Sequence, residues 1–339
     1  MTTTKISNRS SLQLAAQLLC LLYILLLAFS CKQQENSLST DVVDMVFVKG
    51  GAFELQAKSY DYINGEKIDT MPIPATQVTV SDFLIGRYEV SLSDYIEFLS
   101  DTDYVSRCLL GRGGVFHPDP EFVYPDTSIV TDVFYLFNNE LYTTEYANYP
   151  AGAITWDDAI AYCNWLSKKD RLQAVYTIYD RGRVGPNDDE PNKWEVHVDW
   201  NANGYRLPTE AEWMYAAAGG EKGHKYVYSG GNNVDDVAVY GKNSGWGVNR
   251  RGSKLPNELG IYDMSGNLNE WCWDYSANRD DYTPNLQDPK GPESGTNRVF
   301  RGGAWNDDEY SCRLTVRFSK SPLSGHFYDG FRICRNAQN

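Results

Sequence analysis

The sequence predicts an α+β domain that is irregular and rich in loops, and three observations predict it. β-rich runs open the folded region at 42–55 and again at 77–90, short amphipathic helices with capping residues follow them, and the closing third of the chain is dense in Gly, Asn, Asp, Trp and Arg without simple periodicity. The chain has 339 residues, 42% of them hydrophobic and 14% aromatic, with 24 Tyr and 9 Trp, a composition that excludes a disordered, collagen-like or coiled-coil protein. The net charge of −14, which becomes −16 if Lys5 and Arg9 leave with a leader, excludes sequence-independent nucleic-acid binding, because phosphate backbones demand a positive face.

The first thirty residues read as a secretory signal. Lys5 and Arg9 precede an apolar stretch, Leu18 to Phe29, which is closed by Ser30-Cys31 and followed at once by polar residues. That stretch falls short of the roughly 20 apolar residues of a membrane-spanning helix. Leu27-Ala-Phe-Ser-Cys31 resembles a bacterial lipobox and places lipidation at Cys31, with plain secretion or an uncleaved anchor as the alternatives. A lipid anchor implies the cell envelope, and Lys32 in place of a retention aspartate implies the outer membrane, the face left open. Residues 31–41 form a polar tether.

One domain is expected over 42–335. It begins with two β-rich runs hinged on Gly50-Gly51. After a polar insertion comes a strand region at 77–90, then a helix from Ser91, whose Tyr95, Phe98 and Leu99 fall at helical spacing. Residues 101–150 read as a loop-like insertion. Thr155 with Asp158, and Thr209 with Glu212, are capping boxes opening two helices; the first buries Trp156, Ile160, Cys163 and Leu166, the second Trp213, Ala216 and Ala217. In the remainder, side-chain hydrogen bonds and cation–aromatic contacts replace long ladders, and Arg301, Arg313, Arg317, Arg332 and Arg335 are expected in internal ion pairs or over rings. Four scattered His give no zinc spacing, and no nucleophile elbow, P-loop or dinucleotide fingerprint occurs.

Seven motifs then occur in a telling order. They are Met45-Val-Phe-Val-Lys-Gly-Gly-Ala-Phe, Tyr88-Glu-Val-Ser, the helix from Thr155 to Leu166, Gly204-Tyr-Arg-Leu-Pro-Thr-Glu-Ala-Glu-Trp, Pro256 through Cys272, Arg301-Gly-Gly-Ala-Trp, and Gly330-Phe-Arg-Ile-Cys-Arg. In this order they resemble the formylglycine-generating enzyme, or sulfatase-modifying factor, domain family. The resemblance covers nearly all of 42–335 and implies that family's irregular α+β fold, distantly similar to C-type lectins.

Activity is not implied so simply. Enzymes of the family carry two cysteines five residues apart that bind copper(I); here Asp307 stands at the first position and Cys312 at the second. A carboxylate is a hard, poor substitute for a thiolate on copper(I), so copper is not expected. The resemblance also implies a structural calcium site built from Asp263, Gly266, Leu268 and Glu270, with an Asx-type turn as the alternative reading. It implies disulfides Cys163–Cys334 and Cys272–Cys312, although Cys334 lies one residue beyond the family position and a one-residue slip in a strand reverses its face; Cys108 is left over. Trp305 with Asp307, Asp308 and Glu309, together with Trp246, is the candidate binding surface, though the acidic run is also read as a solvated loop.

The function expected is a non-catalytic, lipid-anchored envelope protein that binds a protein partner or a glycan. Similar lipoproteins of the Bacteroidota serve gliding motility and type IX secretion. The alternatives are a divergent formylglycine-generating oxidoreductase or a lectin-like carbohydrate-binding protein.

Overall fold

The first two β-rich runs become β1 (Met45–Val48) and β2 (Gly51–Ile63), hinged where the sequence places the turn. Gly50 is required there, since a Cβ would lie 2.4 Å from the Val80 carbonyl oxygen. The computed structural model describes residues 43–63, 66–102, 146–180, 194–276 and 287–337, and a compact unit is formed within Met45–Asn339. The leader, Cys31, the tether, Cys108 and residues 103–145 of the insertion lie outside the described residues.

The segment read as a polar insertion is in fact paired. β2 and β3 (Glu66–Val80) form a long antiparallel hairpin from Gly51↔Val80 to Ile63↔Glu66, with two irregularities near Ala57. Bulges allow such a ribbon to continue through a stretch without clean alternation. β4 (Phe83–Gly86) then pairs with β1 on one side and with β11 (Cys334–Asn336) on the other, so both ends of the described body meet on one central strand.

The helices start where the capping residues predict. In α1 (Leu92–Asp101) the Ser91 hydroxyl accepts the Asp94 N–H, and Tyr95, Phe98 and Leu99 are buried. Both α2 (Trp156–Lys169) and α3 (Glu210–Ala217) carry complete capping boxes, from Thr155 and Asp158 and from Thr209 and Glu212. Each box satisfies two backbone donors that the helix geometry leaves without partners. β5 (Tyr176–Asp180) and β6 (Trp194–Val198) form a separate hairpin, and α4 (Val234–Val237) is a single turn.

The second half is built around a four-stranded sheet in the order β10 (Asp329–Gly330), β7 (Asn269–Tyr275), β8 (Arg298–Arg301), β9 (Phe318–Lys320). β10 runs parallel to β7, and the other pairs are antiparallel. One core cluster joins β1, β3, β4, α3, β7 and β8 through Val48, Val80, Ile85, Trp213, Cys272 and Val299. Between the strands, polar side chains do what ladders do elsewhere. The Arg298 guanidinium lies 3.8 Å from the Trp156 ring centre, 4.7 Å from that of Trp273 and 3.4 Å from that of Tyr275. Of the five arginines singled out in the sequence, three are buried in ion pairs, Arg301 and Arg317 with Glu210 and Arg332 with Glu270, while the partly exposed Arg313 and Arg335 cover the rings of Tyr310 and Tyr205.

Candidate functional site

The segment after β8 folds back sharply on itself. Gly302 and Gly303 have φ of 98° and 73°, and a Cβ on Gly303 would sit 2.9 Å from the Ser311 carbonyl carbon, so the chain returns against its own start. Asp307 and Asp308 hold this turn. Asp307 Oδ2 accepts the Ala304 N–H at 2.9 Å, while Asp308 Oδ1 accepts the Ser311 N–H at 3.0 Å and its hydroxyl at 2.9 Å. Each carboxylate serves as a turn acceptor, an arrangement of local side-chain to backbone bonds typical of Asx residues. Cys312 closes the turn from inside, fully buried beside Tyr228, Val234, Val237 and Tyr240, with its thiol 3.6 Å from the Asp308 carbonyl.

Of the aromatic candidates, the structure separates Trp305 from Trp246. Trp305 is 8% exposed and packs against Phe327 with ring centres 5.7 Å apart. Trp246 is 81% exposed and has a φ of 74°, unusual for a bulky residue. Its N–H donates to the Ser244 hydroxyl at 3.2 Å, and Asn249 ties the loop through Ser244 O at 3.0 Å. Asn267 joins this loop to the 304–312 turn: its side chain accepts the Asn249 N–H at 3.0 Å, and its carbonyl accepts the Trp305 N–H at 2.8 Å. Trp246 and the exposed Asp308 and Glu309 therefore rise from loops joined through Asn267, while the exposed Phe327 packs on Trp305. Sequence reasoning missed Phe327, for it carries no local pattern, and Asn267, whose role is set by chain sections far apart in sequence.

The four residues expected to hold calcium lie on one buried loop, 263–270. Asp263 has a φ of 58° and accepts the Gly252 N–H at 2.6 Å. Glu270 accepts from Arg332 through both oxygens and from the Trp213 indole N–H at 2.7 Å. A third carboxylate, missed in the sequence although it stands in the Tyr88-Glu-Val-Ser motif, braces the same loop: Glu89 accepts the Leu268 N–H at 3.0 Å and the Asn267 amide at 2.9 Å. Burial pushes the Glu89 carboxyl well above its usual range, helped by the charges of Asp263 and Glu270, and burial raises Asp263 to about 6. Three buried carboxylates thus face the fully buried Arg332, with Arg251 nearby. Their oxygens are donors of the kind a hard divalent cation takes. Among the described residues no three His, Cys, Asp or Glu side chains are grouped as metal ligands, so such an ion would depend on the Gly266 and Leu268 carbonyls beside Asp263 and on Glu270 shared with Arg332. Its contribution there would be to fix a loop.

The expected disulfides are not formed. Cys163, Cys272, Cys312 and Cys334 are free and buried. The Cys334 thiol lies 3.8 Å from Glu212 Oε2, in keeping with the strand offset noted above, and Cys272 belongs to the core around α3 while Cys312 belongs to the one around α4. Burial pushes the Cys163, Cys272 and Cys334 thiols up, so they remain protonated rather than nucleophilic.

Such a fold, with a tight Arg-Gly-Gly turn, a carboxylate-braced loop and an arginine-rich interior, defines a class. The chain belongs to the sulfatase-modifying factor enzyme 1-like domain family, which it matches over residues 31–337. It is 34% identical to the chaperone protein LppX of Paenibacillus barcinonensis, over 91% of this chain and 94% of that one. It is 29% identical to the formylglycine-generating enzyme of Thermomonospora curvata, over 85% and 92%. Similarity to the mouse inactive C-alpha-formylglycine-generating enzyme 2 is 27%, over 93% and 92%. Among solved structures, Treponema denticola variable protein 1 superposes with a TM-score of 0.62 at 29% identity, covering 86% of this chain and 95% of that one.

Proposed function

We propose that this protein is a non-catalytic binding or assembly module, carried by a lipid on Cys31 at the outer membrane and acting on a protein partner in the envelope, within gliding or secretion machinery. The observation that carries the non-catalytic reading is the Asp307–Cys312 pair. One position offers a carboxylate engaged in its own turn, the other a thiol with no exposure, whereas copper(I) calls for two accessible soft ligands. Relatives that include an inactive enzyme paralogue and a protein named as a chaperone support the same reading.

The contact surface in this proposal is the loop face bearing Trp246, Phe327, Asp308 and Glu309. A large aromatic side chain exposed on an anchored loop is the usual form of an interface hot spot. Trp305 supports Phe327 from beneath. Crosslinking in intact membranes tests this: a defined envelope protein should copurify with the wild type and be lost with Trp246→Ala, and a strictly solitary protein would overturn the assembly role. A glycan partner is the second reading, favoured by the same exposed indole; retention on a glycan array that disappears with Trp246→Ala would select it.

A structural calcium ion on the 263–270 loop completes the proposal. Saturating calcium should raise Tm of the wild type and not of Asp263→Ala, because an ion bound only by the folded state stabilises by mass action, about 2.7 kcal/mol at a hundredfold excess over Kd. A Tm indifferent to calcium and to chelator would remove the ion from the account.

A further inference from the structure

The loop that carries Trp246 is tied at its base and open at its tip. Gly245 and Trp246 both have positive φ, 69° and 74°, and a Cβ on Gly245 would meet nothing within 4 Å. Below the tip, the Ser244 N–H donates to the Tyr240 carbonyl at 2.9 Å and the Gly241 N–H to the Asp307 carbonyl at 2.7 Å. At the far end the Arg251 guanidinium donates to the Glu89 carbonyl at 2.6 Å and to the Asn148 side chain at 2.9 Å. An exposed indole makes a strong contact only if its loop is already set, because ordering the loop on contact subtracts from affinity.

One buried residue links these ties. Asn267 has no exposure and a φ of 66°, a conformation that asparagine tolerates better than most residues. Its N–H donates to the Val239 carbonyl at 2.8 Å, and its carbonyl accepts the Trp305 N–H at 2.8 Å. Its Oδ1 accepts the Asn249 N–H at 3.0 Å, while its Nδ2 donates to Glu89 Oε2 at 2.9 Å and to the Asn249 carbonyl at 3.3 Å. Glu89, 1% exposed, is fixed in turn by the Leu268 N–H on its other oxygen, at 3.0 Å. An acceptor at Glu89 decides which end of the Asn267 amide faces it, and so turns the amide oxygen toward Asn249.

We infer that Asn267, oriented by Glu89, is the positioning residue of the Trp246 contact surface. It touches no partner itself. It sets the Trp246 loop through Asn249 and the 304–312 turn through Trp305, and it ties both to the buried 263–270 loop, so that the contact surface is ordered before anything binds. The inference rests on the reading of that surface as a partner contact.

Hydrogen exchange on the full chain tests it without a partner. Asn267→Gly keeps the backbone conformation and removes the amide; exchange should accelerate about tenfold at the Asn249 N–H and in 244–251, with α2 and β4 unchanged. A swap decides the matter even where that variant folds poorly. Asn267→Asp alone turns an acceptor toward an acceptor, and Glu89→Gln alone turns a donor toward a donor. Together they restore the bond with its direction reversed, since the introduced amide donates to the introduced carboxylate, whose second oxygen still accepts the Asn249 N–H. Each single change should therefore accelerate exchange in 244–251, and the double variant should return to within about threefold of wild type. Unchanged exchange in that loop, acceleration spread evenly over the molecule, or a double variant no better than the singles would overturn the inference. An envelope protein captured by the wild type should be lost with either single change and recovered with the swap. If the wild type captures none, the contact reading fails while the exchange rates still decide the role of Asn267.

Discussion

Asp307 is where a single residue decides most. Its carboxylate caps the Ala304 N–H, so the side chain that replaces a family cysteine has taken on a structural duty. Asp307→Cys restores the two-cysteine spacing yet removes that acceptor and leaves Cys312 buried. The variant is expected to bind no stoichiometric copper(I) and to convert no substrate cysteine; copper analysis and a mass shift on a substrate peptide check both. A second residue governs the response to pH. Burial and then the charge of Glu210 raise the Asp274 carboxyl to about 7, from an ordinary 3.8. The folded state therefore holds a proton that the unfolded chain has released, and this contribution to stability is full below about pH 4 and lost as pH rises toward 7. Glu210, lowered by Arg301 and Arg317 despite its burial, acts in the opposite sense and loses its contribution on the acid side. Asp274→Asn keeps an acceptor for the Glu210 N–H and removes the buried charge. Its Tm relative to wild type should climb between pH 4 and pH 8; a constant difference would contradict the assignment.

At the level of elements, the helices were legible and the strands only partly so. Ser91, Thr155 and Thr209 announce α1, α2 and α3 because a capping hydroxyl and its carboxylate partner act within four residues. Thr209→Ala should cost about 1 kcal/mol and be read as a lower midpoint in urea with unchanged slope. The hairpin of β2 and β3 escaped notice although Asn64-Gly65, a strong two-residue hairpin signature, stands between its strands, because those strands lack clean alternation; that of β5 and β6 escaped because pairing rewards a strand only through a partner and the sequence between them is long. The disulfide expectations failed for a related reason: side-chain direction in β11 follows its register against β4, where Cys334 faces Ile85, and motif proximity carries no information about it.

Over the whole molecule, the aromatic and arginine surplus resolves into a packing scheme. Arg298 among three rings, Lys320 over Phe300 at 4.5 Å and Arg301 with Arg317 on Glu210 supply directional contacts that hold loops where regular ladders are short. Removing one member of a buried pair leaves the other charge uncompensated, so Arg301→Met should destabilise by about 3–5 kcal/mol, seen as a large fall in urea midpoint, whereas exposed Lys169→Met, losing its surface pair with Glu97 and its contact with the Trp165 ring, should move it far less.

The sequence by itself determined the α+β class, the three capped helices, the family motifs and the break in the cysteine pair, since each is written in residues that act locally or in a fixed order. Only the tertiary structure decided that Trp246 faces outward while Trp305 is covered, that Glu89 braces the 263–270 loop, and that Asn267 joins that loop to the Trp246 loop and the 304–312 turn. Those outcomes depend on which distant segments share a wall, and burial and charge pairing across segments are properties of the folded chain that no stretch of sequence contains.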